Sequence, residues 1–144
     1  MANRDLDRKR AEFAYNCVKK FVEKNDEDKQ KKYRGYIRNT PTMILNNGFG
    51  GTLAFIFSKR FKSDGDVYIY ISKNIYNWFN KEENRYLLKL KNGKNINDLE
   101  ELINILLEDL NLSEYRMATN EILTLFVWLK RFVDGMIEGE DNNG

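Results

Sequence analysis

Histidine is absent, and cysteine and proline occur once each in 144 residues. Without histidine the chain lacks the commonest general base at neutral pH and the commonest imidazole metal ligand. One cysteine closes no internal disulfide and builds no cysteine cage for a metal, which suits a reducing compartment. No apolar run approaches the roughly 18 residues that a membrane span needs. The opening MANRDLDRKR is charged throughout and leads into no apolar signal core, so export is not expected. These absences point to a soluble cytoplasmic protein with few groups suited to catalysis, and to no cofactor.

A length near 150 residues argues for one domain, large enough to bury roughly 70% of its unfolded surface. Hydrophobic residues make up 42% of the chain, too many for a disordered polymer. The net charge of +2 hides a division. Residues 1–62 hold 15 Lys/Arg against 7 Asp/Glu, a balance of +8, and residues 63–144 hold 9 against 15, a balance of −6. A molecule with a basic and an acidic end can lie against phosphates, or stack head to tail with copies of itself. Uneven charge arising by chance in a helical bundle is the plain alternative. The eighteen asparagines are scattered and suggest a biased genome rather than a chemistry.

Apolar positions recur three and four apart almost everywhere, which predicts helices. Residues 4–24 place Leu6, Phe13, Ala14, Cys17, Val18, Phe21 and Val22 on one stripe with a basic opposite face. Asp26, Glu27 and Asp28 suit the first turn of a second, short helix carrying Tyr33, Tyr36 and Ile37. Thr40-Pro41 reads as the start of another helix, a hydroxyl cap followed by a residue that needs no N–H there. Asn47-Gly48 reads as its C-terminal cap, and LAFIFSKRF as the next helix.

Val67–Ile71 has strand propensity, but Tyr68, Ile71, Ile75, Trp78 and Phe79 repeat at helical spacing, so helix is expected. Strand within 66–71 or 85–97 is the alternative. Asn97 with Glu100 three residues later reads as a capping box, Ser113 as a cap for the last helix, and KNGKN as a turn. That last helix, 114 to about 138, is nearly apolar all round between Ile122 and Leu129 and should occupy the centre. The expected architecture is all-α, a single compact bundle of about six to seven helices over residues 1–144, with 137–144 as a flexible tail.

Candidate chemistry is sparse. Asn47-Gly48-Phe49-Gly50-Gly51 is the one Gly-rich loop, but a helix precedes it and no lysine follows the last glycine, so a tight turn fits better than a nucleotide loop. Its N–H groups could still rest against a phosphate of a larger ligand. Cys17 lies on an apolar stripe with no base beside it. Glu121 precedes the most apolar part of the last helix, with Arg116 and Thr119 close by, and suggests an ion pair or hydrogen-bond network rather than an acid catalyst.

The basic clusters are more telling. They comprise Arg4, Arg8, Lys9 and Arg10, then Lys19 and Lys20. Lys29, Lys31, Lys32, Arg34 and Arg38 come next, followed by Lys59, Arg60 and Lys62, with Lys130-Arg131 late in the chain. Cations gathered on one face bind phosphates without reading bases, and no aromatic strand for base stacking is evident.

Several motifs then follow one another in a telling order: Arg10-Ala11-Glu12-Phe13-Ala14-Tyr15, Pro41 to Phe49, Leu53-Ala54-Phe55, Trp78, Tyr115 to Leu123, and Trp128-Leu129-Lys130-Arg131-Phe132. The ordered set resembles the small-subunit family of the type III-B CRISPR effector, the Cmr or RAMP-module complex, over nearly the whole chain. It departs from the family pattern in the polar 81–96 stretch and at Gly50-Gly51. The resemblance implies an all-α, non-catalytic subunit of an RNA-guided antiviral complex. Such subunits stack into a short filament beside the backbone subunits and line the channel of the guide RNA and target RNA. Cleavage belongs to the backbone subunit. The residues expected to face RNA are Lys130 and Arg131 first, then Arg38, Lys59 and Arg60. A protein–protein adaptor without nucleic-acid contact is the second reading, and an enzyme the third.

Overall fold

In the computed structural model, residues 2–139 are described, with side chains from residue 4 onwards; of the expected tail, 140–144 lie outside the described residues. The described residues form helices and no strands. They comprise α1 (Ala2–Lys24), α2 (Glu27–Lys59), α3 (Gly65–Asn80), a 3-10 helix (Glu82–Leu88), α4 (Leu99–Asn104) running into a π-turn (Ile105–Asp109), and α5 (Leu112–Met136). The all-α bundle expected from periodicity is the observed architecture.

Helix α5 occupies the centre. Ala118, Ile122, Leu125, Phe126, Leu129 and Val133 are all fully buried, and α1 and α2 pack along it. Burying side chains of this size stabilises by about 1.5–3 kcal/mol each for the larger ones. Val67, Ile71 and Ile75 override their strand propensity because helical spacing puts all three into this core, at most 1% exposed. Ile137, beyond the end of α5, is 3% exposed.

The chain turns between α1 and α2 on side chains. Asn25 Nδ2 donates to the Phe21 carbonyl at 3.0 Å, and Asp26 caps α2 by accepting from the Lys29 N–H at 2.9 Å. Glu27 and Asp28 fill the first turn as expected. Thr40-Pro41 starts no helix: α2 continues through both residues. Tyr33, Ile37, Thr40 and Ile44 form one buried stripe across the proline, so tertiary packing keeps the helix continuous there. The Thr40 hydroxyl donates back to the Tyr36 carbonyl at 2.6 Å instead of accepting an N–H.

Helix α2 breaks at Gly48, where φ is 82° and ψ 164°. Only glycine adopts this conformation cheaply. The two arms, 27–47 and 49–59, therefore run in different directions. The expected cap at Asn47-Gly48 is a corner between helices. The neighbouring Gly50 N–H donates to Tyr115 Oη at 2.6 Å, so α5 holds the corner and takes up a donor that a phosphate would have needed.

Two caps fall beside their expected positions. Asp98, not Asn97, caps α4, accepting from the Glu101 N–H at 2.8 Å. The shift by one residue turns Leu99, Leu102 and Leu106 inward. Asn111, not Ser113, caps α5, because Glu114 lies three residues on and closes the box, both bonds being 2.8 Å. KNGKN forms its turn, with Gly93 at φ 78°. Asn80 braces this loop by bonding both the N–H and the carbonyl of Ile96, each at 2.8 Å.

Candidate nucleic-acid interface

Lys130 and Arg131 are consecutive on α5, and consecutive helical residues point about 100° apart. They therefore leave the helix in different directions, and both are exposed. Arg131 turns to the α1 side, its guanidinium 4.9 Å from the Trp128 ring centroid. Trp128 stacks on Phe132 at 6.3 Å, Phe132 meets Tyr15 of α1 edge-on at 5.5 Å, and the Lys19 ammonium stands 5.8 Å from Tyr15. The result is a row of three rings across α5 and α1, with a cation at each end.

Trp128 is fixed in that row, donating its Nε1–H to Asp7 at 2.9 Å. A shallow depression of about 320 Å³ opens beside Trp128 and Arg131, flanked by Thr124 and Val127. Lys19 and Arg131 are exposed and make no carboxylate contact among the described residues.

Lys130 is exposed one turn before Asp134. Arg38 of α2 donates from Nη1 to both Asp134 oxygens at 2.6 Å, and Arg34 Nη2 lies 3.2 Å from the same carboxylate. Arg38 thus ties α2 to α5, and much of its charge is answered within the molecule. Lys130, by contrast, makes no ion pair among the described residues.

Lys59 and Arg60 belong to another neighbourhood, the end of α2. Lys59 stands 5.2 Å from the Phe55 ring. Arg60 lies over Phe57 at 3.9 Å and Phe61 at 4.6 Å, and reaches Glu100 of α4 at 3.9 Å. The five expected residues therefore fall in three places. Lys130 and Arg38 flank Asp134, Arg131 faces α1, and Lys59 with Arg60 borders α4.

Glu121 has the structural role expected of it, but with partners from other helices. Arg10 Nε and Nη2 donate to its two oxygens, both at 2.7 Å, and Trp78 Nε1 donates at 3.0 Å. Side-chain exposure is 14% for Arg10 and 9% for Glu121. The hydrogen bond to Glu121 is the main reason the Arg10 guanidinium holds its proton above the usual value. One carboxylate thereby joins α1, α3 and α5. Burial pushes the Cys17 thiol up to about 12, against the opposing pull of Lys20 and Lys81, so it is a neutral core group at physiological pH.

Run-based reading of the basic clusters missed a groove of about 620 Å³ between α1 and α3. Lys9 and Lys20 of α1 and Lys73 of α3 line it, with Lys81 just past the end of α3. The signal is periodic rather than clustered. Positions 9, 13, 16 and 20 on α1, and 70, 73, 77 and 81 around α3, recur every three or four residues and fall on facing sides.

Among the described residues, no group of His, Cys, Asp and Glu could hold a metal ion, and no helix is long and apolar enough to cross a membrane. The family model described as CRISPR-associated protein Cmr5 matches residues 6–136. The fold is similar to the crystal structure of a CRISPR-associated Cmr5 family protein from Thermus thermophilus. The TM-score is 0.67 at 23% identity, covering 92% of this chain and 97% of that one.

Proposed function

Since the chain belongs to the CRISPR-associated Cmr5 family, and so to the components of type III-B Cmr effector complexes, we propose that it serves there as a non-catalytic small subunit. It stacks beside the backbone subunits in the cytoplasm, with other copies of itself, and steadies guide RNA and target RNA by contacts from its basic surface to the phosphates. The observation that carries this reading is the pair of exposed cations on α5, Lys130 and Arg131. Neither makes an ion pair among the described residues, and Arg131 extends through three rings to Lys19. Cations of this kind release counterions on meeting a polyanion, whereas those already paired within the molecule gain less. Lys59 and Arg60, at the end of α2, would supply a second, separate contact. A role without chemistry is supported by the neutral Cys17 thiol and by the engagement of Glu121 with Arg10 and Trp78.

The adaptor reading has its own support. Lys29 and Lys32 pair with Asp66 and Asp64, and Arg38 pairs with Asp134, which withdraws several cations of the basic half from phosphate binding. Phe61 is also 85% exposed, as a protein-contact residue would be. Salt separates the two. Contacts from Lys19, Lys130 and Arg131 to three phosphates of single-stranded RNA predict that log K falls with log salt at a slope of about −2. Affinity should also vary little between RNA sequences. Salt-insensitive or strongly sequence-selective binding refutes the RNA reading, and absence of RNA binding at low salt favours the adaptor.

A further inference from the structure

The α1/α3 groove is chemically graded from end to end. At one end stand Lys20 and Lys73, exposed and without an ion-pair partner among the described residues. The middle offers Asn16 and Asn77, whose exposed amides make no hydrogen bond among the described residues. At the other end Phe13 is partly exposed, tilted against buried Trp78 at 5.1 Å, with the Lys81 ammonium 5.6 Å from its ring centroid. The lining carboxylates are Glu12 and Glu83. Glu83 lies 3.8 Å from Lys9, and by chain position both belong to the Phe13 end. An anion is therefore favoured at the Lys20/Lys73 end over the Phe13 end, where Lys9 and Lys81 are balanced by Glu12 and Glu83.

The walls are rigid, as a formed site requires. Tyr70 Oη donates to the Cys17 carbonyl at 2.6 Å, binding α3 to α1. Asn74 accepts from buried Tyr33 at 2.6 Å, and Trp78 is held by Glu121 at 3.0 Å. Phe13 and Lys20 are seven residues apart on α1, about 10 Å along the axis. That spacing suits a ligand with a flat, polar-edged ring at one end and a phosphate at the other. The groove volume of about 620 Å³ lies within the range of small-molecule sites, roughly 300–1,000 Å³.

We infer that the α1/α3 groove is a binding site for a nucleoside phosphate. The phosphate lies between Lys20 and Lys73, the amides of Asn16 and Asn77 face the sugar and base edge, and the base packs against Phe13. This site is separate from the Lys130/Arg131 surface and does not depend on it. Its ligand is either a unit of an RNA strand or a free nucleotide.

Calorimetric titration of the full chain with adenosine monophosphate, inorganic phosphate and a ten-nucleotide oligouridine tests the inference. Adenosine monophosphate should bind at least about ten-fold more tightly than inorganic phosphate, and the pair K20Q/K73Q should weaken it by at least about ten-fold. F13L should narrow the gap between the two ligands while leaving the phosphate affinity unchanged. K130E/R131E should leave adenosine monophosphate binding intact, so failure of the RNA reading does not register here. Displacement of oligouridine by adenosine monophosphate identifies an RNA strand as the source, and undisturbed oligouridine identifies a free nucleotide. Binding of adenosine monophosphate no tighter than phosphate, or unmoved by K20Q/K73Q, overturns the inference.

Discussion

Replacing Glu121 by alanine should be among the most damaging single changes in the core, and the structure gives the size. The carboxylate accepts two bonds from Arg10 at 2.7 Å and one from Trp78 at 3.0 Å, and both ionic side chains are largely buried. Removing one member of such a pair strands a buried charge, at a cost of about 3–5 kcal/mol. The Trp78 N–H loses its acceptor as well, which costs about 1–3 kcal/mol more if it is left fully unsatisfied. Two features pull the total down. Arg10 Nη1 keeps its contact to the half-exposed Asp7 at 3.3 Å, and water can reach the vacated space from that side. A net loss of about 3 kcal/mol is expected, equivalent to a fall of roughly 6–12 °C in melting temperature for a chain near 150 residues. Urea unfolding followed by circular dichroism measures it, with the m-value unchanged. The double variant R10M/E121L should recover part of the loss, because it removes both charges together. A loss for E121A below about 1 kcal/mol would refute the assignment of this triad as a structural tether.

Two further changes probe the corner and the buried thiol. Gly48→Ala forces a side chain into φ 82°, ψ 164° and should cost about 1–3 kcal/mol in the same unfolding assay, whereas Gly35→Ala in the middle of α2, where a methyl group meets nothing within 4 Å, should not destabilise. For Cys17 the folded-state pKa, about 12, lies above its ordinary value of 9.0. Its contribution to stability is therefore complete below pH 9 and is lost as pH rises, by about 1.4 kcal/mol per pH unit. Unfolding free energy should begin to decline near pH 9, with Tyr33, Tyr36, Tyr70 and Tyr76, also raised by burial, adding to the fall as pH nears 10. C17A should make the early part of that decline shallower. An identical slope in C17A would show that the thiol is not the group responsible.

Much of the fold could be read from periodicity, and little of the surface could. Helix α5 was plain because its stripe from Ala118 to Val133 is regular and made of residues that all end up buried. Thr40-Pro41 misled because a local start signal competes with a buried stripe that runs through it, and packing outweighs one missing backbone hydrogen bond. The caps of α4 and α5 were off by one and two residues because several asparagines, aspartates and a serine offer nearly equivalent hydroxyl, amide or carboxylate oxygens. Which of them caps depends on where the leucines must point.

Partners distant in sequence were not legible at all. Glu121 bonds to a residue 111 positions away, and Arg38 to one 96 positions away. Nor does clustering along the chain reveal pairing: Lys29, Lys32 and Arg38 are all paired internally. Lys73 and Lys81, single lysines outside every basic cluster, look ordinary until α1 and α3 bring them to one groove.

The claim that exposed cations on α5 hold RNA within an effector assembly meets its most direct test in K130E/R131E, reconstituted with the other Cmr subunits and guide RNA. The account predicts a particle of unchanged composition and mass that loses labelled target RNA during a wash at moderate salt, while wild type retains it. Equal retention of target RNA by variant and wild-type particles would contradict the account.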